Sequence, residues 1–217
     1  MKDKQMQRRL FMCVIGVMLS GISVGFFKRA AFGVDPFQTF MSGLDALIPI
    51  EFGTLYVIAN VCLLLFSLFA DRHYIGLATM INLFLLGYVA QYSLETLLLL
   101  FPSISLIGQF IFLVIGIILS CFAASLYFVA DLGVSTYDAV ALIITGTWKI
   151  GKFKYVRIIT DLTCVIIGTV LYYLATKGLF GITTIVGIGT IITAFFMGPL
   201  IDVFSDKIAK PLLYGKH

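Results

Sequence analysis

The sequence predicts an all-α polytopic membrane protein built from two homologous halves, each with three full transmembrane helices plus one short helix that either re-enters or spans. Three observations carry this. Hydrophobic side chains make up 60% of the 217 residues and charged ones only 12%, and the mean hydropathy is +1.07, which leaves too little polar surface for a water-soluble globule. Apolar runs long enough for a hydrocarbon layer roughly 30 Å thick recur along the chain, and none alternates as barrel strands do. The stretch from Gly16 to Gln38 also returns without a gap as Gly116 to Asp138, the mark of an internal repeat.

The recurrence is specific. Gly16, Leu19, Ser20, Gly33 and Val34 come back as Gly116, Leu119, Ser120, Gly133 and Val134, and Phe37 becomes Tyr137. Ile75-Gly76-Leu77-Ala78-Thr79, with Asn82 and Gly87 beyond, matches Val186-Gly187-Ile188-Gly189-Thr190 with Thr193 and Gly198. The first half, residues 1–103, is expected to hold helices at 10–30, 35–48, 55–70 and 74–101. The second, residues 104–217, is expected to hold them at 106–130, 135–147, 155–176 and 180–205.

The first helix follows a basic start through Arg8 and Arg9, the outline of a signal peptide. Lys28 and Arg29 stand where a cleavage site needs small residues, and the segment is the repeat partner of an internal helix, so it reads as a retained helix. The second is the informative one. At 1.5 Å per residue, 35–48 and 135–147 each reach only about 20 Å, short of a crossing. Asp35-Pro36-Phe37-Gln38 reads as N-cap, first helical proline and a reciprocal capping partner, and Ser135 with Asp138 repeats the pattern. A helix N-terminus inside a membrane offers free N–H groups and a positive dipole end to a polar or anionic group.

Two topologies follow. If the short helices re-enter, each half has three crossings and the halves are inverted; if they span, there are eight crossings and the halves run parallel. With the N-terminus cytoplasmic, the inverted arrangement leaves only Lys28, Arg29 and Lys177 outside and the spanning one adds Arg72, so both obey the positive-inside rule and put both termini in the cytoplasm. The helix length favours the inverted arrangement.

The pattern G-V-x-P or T followed by an aromatic, then G-x-G-T with a later G-P-x-I-D, resembles the YczE/YyaS/YitT family of bacterial membrane proteins. Here it stands as Gly133 to Asp138, Gly187 to Thr190 and Gly198-Pro199-Leu200-Ile201-Asp202. The resemblance spans about Leu10 to Phe204 and implies a protein of the bacterial cytoplasmic membrane, with no activity to transfer. The family's P-W-D wording is split here: Pro36 keeps the proline, Asp138 the acid, and Phe37 and Tyr137 replace the tryptophan.

Polar residues inside apolar helices are costly and face protein or water. Asp138 serves either as the capping partner of Ser135 or in a site. Asp161 and Asn60 hold matching places in the two halves, as a helix-to-helix bond or as ligands. Thr79 with Asn82, and Thr190 with Thr193, share helix faces beside glycines, as packing glue or as a polar lining. The candidate substrate-binding set is therefore Asp35, Gln38, Asn60, Thr79, Asn82, Ser135, Thr136, Asp138, Asp161, Thr190 and Thr193. Lys28 and Arg29 read as snorkelling cations, and Trp148 with Lys149, Lys152 and Lys154 as an interfacial anchor. Cys13, Cys62, Cys121 and Cys164 lack a C-x-x-C spacing and read as packing thiols.

His73 and His217 have no motif partners, and no metalloprotease, nucleophile-elbow or phosphate-loop motif occurs. Gly187-Ile188-Gly189 lies in an apolar run with no strand before it, which excludes a dinucleotide turn. The expectation is a protein without catalytic residues, metal or cofactor and without a nucleic-acid partner, since its net charge of +4 sits at helix ends. The partners expected are the lipid bilayer and a small polar or anionic solute held between the repeats, and a homo-oligomer is compatible with the sequence. The function expected is a secondary transporter or facilitator; the alternative is an accessory or scaffold protein that supports a neighbouring enzyme through the basic stretch Trp148 to Arg157.

Overall fold

The computed structural model describes residues 2–178 and 181–215, excepting the side chains of residues 2–4 and Lys154. Phe180, where the eighth helix was expected to start, and His217 lie outside the described residues. Regular structure among the described residues is helical: α1 (Lys2–Ala30), α2 (Pro36–Leu47), α3 (Phe52–Ala70), α4 (Leu77–Leu100), α5 (Leu106–Ala130), α6 (Thr136–Leu142), α7 (Phe153–Thr176), α8 (Ile188–Phe204) and α9 (Lys210–Tyr214). Five of them, Gln5–Ala30, Phe52–Ala70, Leu77–Leu100, Leu106–Ala130 and Tyr155–Thr176, are long and apolar enough to cross a membrane. A sixth candidate is the pair Ile182–Met197 and Pro199–Tyr214, bent by 53°. Pro199 stands inside α8 and removes one backbone donor there, which accounts for the bend. The outer faces carry side chains that water would not tolerate in such number: Phe69 is 89% exposed, Leu99 83% and Ile107 74%.

Several expected boundaries move for local reasons. α4 begins at Leu77 because residues Arg72–Tyr74 form a 3-10 turn, held by the His73 N–H donating to Asp71 Oδ1 at 2.9 Å. α8 begins at Ile188, after a second 3-10 turn at Ile182–Thr184. The reading of all four cysteines as packing thiols holds for Cys13 and Cys121, which are buried, whereas Cys62 is exposed on α3.

Helices α1 and α5 form the centre. Gly16 on α1 lets the two approach: a Cβ there would stand 2.9 Å from the Ala123 carbonyl oxygen and 3.2 Å from Tyr127 Cβ. On its other side α1 packs along α4, where Ser93 donates to the Ile22 carbonyl at 3.1 Å. Small residues at such contacts substitute close backbone packing for the hydrophobic drive that lipid removes.

The short helices are the distinctive feature. α2 has 12 residues and α6 has 7, continued by a π turn over Ile143–Thr147, so each reaches about 18 Å. Both lie beside longer helices. Gly43 of α2 packs on Gly168 of α7, and the Thr136 hydroxyl at the start of α6 donates to Asn60 in the middle of α3.

At their starts the two short helices meet, with the Phe37 and Tyr137 rings stacked at 4.8 Å and 22°. Their far ends diverge. α2 leads directly into Phe52, the first residue of α3, whereas the π turn after α6 reaches the last: Thr147 donates to Asp71 at 2.5 Å, and Trp148 meets Phe66 at 5.9 Å. Each short helix thus runs from one end of α3 to its middle. The Thr147 hydroxyl and the His73 N–H hold the exposed Asp71 carboxyl below the usual carboxylate range, so the contribution of that link fades as pH falls through the folded value.

The chain leading into each short helix is pinned to the start of a long helix distant in sequence, α8 for α2 and α4 for α6. Val34 N–H donates to Ile185 O at 3.2 Å and Gly189 N–H to Phe32 O at 2.7 Å; in the same way Val134 N–H donates to Tyr74 O at 3.2 Å and Ala78 N–H to Leu132 O at 2.9 Å. Gly33 (φ +92°) and Gly133 (φ +109°) provide the turns, in a region where a side chain is strained.

Candidate functional site

A cavity of about 170 Å³ opens where the two short helices begin. Its wall comes from six elements: Val17, Ser20, Ser23 and Val24 of α1, Asp35, Phe37 and Gln38 at the start of α2, Tyr56 and Asn60 of α3, Asn82 and Leu86 of α4, Ser120, Ala124, Tyr127 and Phe128 of α5, and Ser135, Tyr137 and Asp138 at the start of α6, closed by Arg157 of α7.

Local sequence explains how the polar groups arrive there. Asp35 is the N-cap of α2 and accepts from the Gln38 N–H at 3.1 Å, with Pro36 at the first helical position, as the missing N–H and fixed φ of proline favour. Among the described residues the reciprocal half of the expected capping box is not made, and the buried Gln38 Oε1 has no hydrogen-bond partner. Ser135 caps α6 by accepting from the Asp138 N–H at 3.0 Å, and its hydroxyl donates to Asp138 Oδ2 at 2.8 Å.

Arg157 organises the α6 side. Its guanidinium pairs with Asp138 and, through Nε at 3.2 Å, with Asp161 Oδ1 one turn along α7, and lies 4.5 Å from the centre of the Tyr137 ring. Tyr137 in turn donates its hydroxyl to Asp161 Oδ1 at 2.6 Å. The guanidinium fork suits this bridging of two carboxylates while its flat face rests on an aromatic ring. Tyr127 Oη, buried against the cavity from α5, is without a partner among the described residues, like Gln38 Oε1.

Of the residues expected to form a site, Asp35, Gln38, Asn60, Asn82, Ser135 and Asp138 line this cavity. Thr136 lies behind it, donating to Asn60 Oδ1 while Asn60 Nδ2 donates to the Tyr56 carbonyl at 2.8 Å. Asp161 is joined to it through Arg157 and Tyr137.

The remaining three are not brought there. Thr79 accepts from the Gly76 N–H at 3.1 Å and donates to Val134 O at 2.5 Å, so it ties the start of α4 to the lead-in of α6. Thr190 accepts from the Gly187 N–H at 3.2 Å and faces an almost apolar groove with Pro36, Leu162 and Phe195. Thr193 donates to the Thr190 carbonyl within its own helix at 3.0 Å. The Lys28 ammonium stands 3.2 Å from the centre of the Phe52 ring.

The sequence missed Arg157, Tyr127 and the serines of α1 and α5. By sequence Arg157 belongs with the basic stretch after Trp148. The available signal was its place four residues before Asp161, one helical turn. Among the described residues no group of three His, Cys, Asp or Glu side chains is arranged to hold a metal ion.

The Asn60–Thr136 bond joins α3 to α6 between side chains each only 1% exposed. Thr136→Val should leave Asn60 Oδ1 unpaired and cost about 1–3 kcal/mol, read as a lowered unfolding temperature of the purified protein in detergent.

Apolar outer faces, five helices of spanning length and a buried polar centre define a helical membrane protein. The chain matches a family of unknown function (DUF6198) over residues 7–206 and belongs to that family. No curated protein and no solved structure matches it. The finding names no YczE, YyaS or YitT protein, so that finer likeness remains a resemblance.

Proposed function

We propose that the protein is a secondary transporter or facilitator whose two halves are inverted repeats and whose small polar solute binds in the cavity between them. The observation that carries this is the convergence of two half-length helices, entering from opposite ends of α3, on one polar cavity in an otherwise apolar molecule. Re-entrant half-helices with their starts at mid-depth are a usual build for solute sites in repeat-based transporters, and non-helical backbone at that depth is tolerated where it lines a cavity or is buried in protein. The matched cross-bonds from Val34 and Val134, and from Gly189 and Ala78, support the repeat. They also couple each short helix to the opposite half, as rocking of one half on the other would need.

In this reading α1, α3, α4, α5, α7 and the bent α8–α9 pair cross a cytoplasmic membrane six times, with both termini inside. The scaffold alternative loses one of its basic residues, because Arg157 is spent on Asp138 and Asp161.

The test uses single thiols on a cysteine-free background. A thiol replacing Ser120 should react with a small impermeant reagent in both right-side-out and inside-out vesicles, as alternating access requires. Reaction from neither side would make the cluster a closed structural knot and remove the transport reading. Thiols at Ala31 and Pro49 should label from outside and one at His73 should not; outside labelling at His73 but not Pro49 would mean eight crossings.

A further inference from the structure

We infer that the cavity is built for a small organic ammonium ion, a protonated primary amine, rather than for an anion. The inference rests on the reading of this cavity as a solute site and names the solute's class. Three observations converge on it.

The first is unmet hydrogen-bonding capacity. Gln38 Oε1 and Tyr127 Oη are buried at the cavity without partners among the described residues, on residues only 4% and 5% exposed. An amide oxygen can only accept, so Gln38 calls for a donor. Buried polar groups in a native protein normally find a partner, and one left open in a cavity marks a place for a ligand or an ordered water.

The second is charge. Three carboxylates, Asp35, Asp138 and Asp161, face one guanidinium, and the other cation within electrostatic reach of Asp35, Lys28, is shared with Asp45, so the cluster stays net negative by two formal charges. Arg157 is shared between Asp138 and Asp161. Asp35 has no cation at ion-pair distance among the described residues and keeps its hydrogen bond from Gln38 N–H. An anion would meet these carboxylates, and the helix starts that would attract it are already occupied by their own caps, Asp35 and Ser135.

The third is the wall. Phe37, Tyr56 and Tyr127 line the same space, and aromatic faces attract a desolvated ammonium group. A neutral polyol would satisfy Gln38 and Tyr127 but would leave the charge of Asp35 unmatched.

The experiment measures thermal unfolding of the purified full-length protein in detergent with ethylammonium chloride, sodium acetate or sodium chloride. Ethylammonium should raise the unfolding temperature with saturation, and the two sodium salts should not. Asp35→Asn, which retains the ability to cap α2, should weaken the apparent affinity at least about tenfold, and Gln38→Leu should weaken it less. Saturable stabilisation by acetate instead, no saturable response to ethylammonium, or an unchanged ethylammonium response in both variants would each overturn the inference. The Ser120 thiol separates the two readings. Labelling from both sides without an ethylammonium response keeps the transport reading and removes the ammonium one; an Asp35-dependent response without labelling does the reverse.

Discussion

Arg157→Met should destabilise the protein by about 3 kcal/mol, the lower end of what removing one partner from a buried ion pair costs, because Arg157 keeps 32% of its side chain exposed. Asp138 and Asp161 are drawn together by that one guanidinium, and their side chains are only 21% and 19% exposed. Without it, two part-buried carboxylates are left close to each other with only the Ser135 and Tyr137 hydroxyls to offset their repulsion and their lost hydration. The effect should appear as a large fall in unfolding temperature and in the amount of folded protein recovered from membranes.

The compensated variant makes this specific. In Arg157→Met/Asp138→Asn/Asp161→Asn the charges are gone, while each new amide oxygen can still accept from Ser135 or Tyr137, whose hydroxyls now donate to the two carboxylates. Stability should return close to wild type, as it does when buried ionic clusters are replaced as a unit. Failure of the triple variant to recover would show that Arg157 acts chiefly through its packing on the Tyr137 ring. Arg157→Lys should fall between, because an ammonium keeps the charge but not the fork.

That arginine also marks where sequence reasoning stopped. Positions 16–38 and 116–138 could be aligned by eye, and with them the two short helices, their caps at Asp35 and Ser135 and their glycine turns, because capping and positive φ are local demands met by local residues. Thr79 and Thr190 were legible as recurring polar residues, yet their roles were not. A threonine three residues after a glycine N-cap serves that helix start before it serves any cavity, and both do so. Arg157 reads as the end of a basic loop because it stands only a few residues into an apolar helix, where cations ordinarily reach back to the surface. Its inward turn depends on Asp138, 19 residues earlier on another helix, and only folding brings the two together. Ser20, Ser120 and Tyr127 were hidden for another reason. Single hydroxyls on apolar helices are commonplace, and which of them share a cavity depends on the rotation of α1 against α5, which Gly16 and its contacts set.

The second large effect belongs to the glycine turns, and it tests the proposed coupling of two repeats. Gly33→Ala and Gly133→Ala should each cost about 3 kcal/mol, combining a left-handed backbone penalty of about 1–2 kcal/mol with the strain of an overpacked contact. At Gly133 a Cβ would stand 2.7 Å from the backbone of Gly76, and at Gly33 it would run into the Gly187 backbone nitrogen. Relief by movement is limited on both sides, because these segments are tied by the bonds from Val34 to Ile185 and from Val134 to Tyr74. Gly108→Ala is the control: it lies in a helix with its nearest neighbour 3.4 Å away, where alanine is the better helix former by just under about 1 kcal/mol. Similar losses at positions 33 and 133, set against no loss at 108, are the expected result from thermal unfolding. If the halves form one mechanical unit, each single variant should also reduce two-sided labelling of the Ser120 thiol, although only Gly133 lies in the same half as Ser120. Loss of labelling in Gly133→Ala alone would mean that the cross-bonds hold the halves together without coupling their motion.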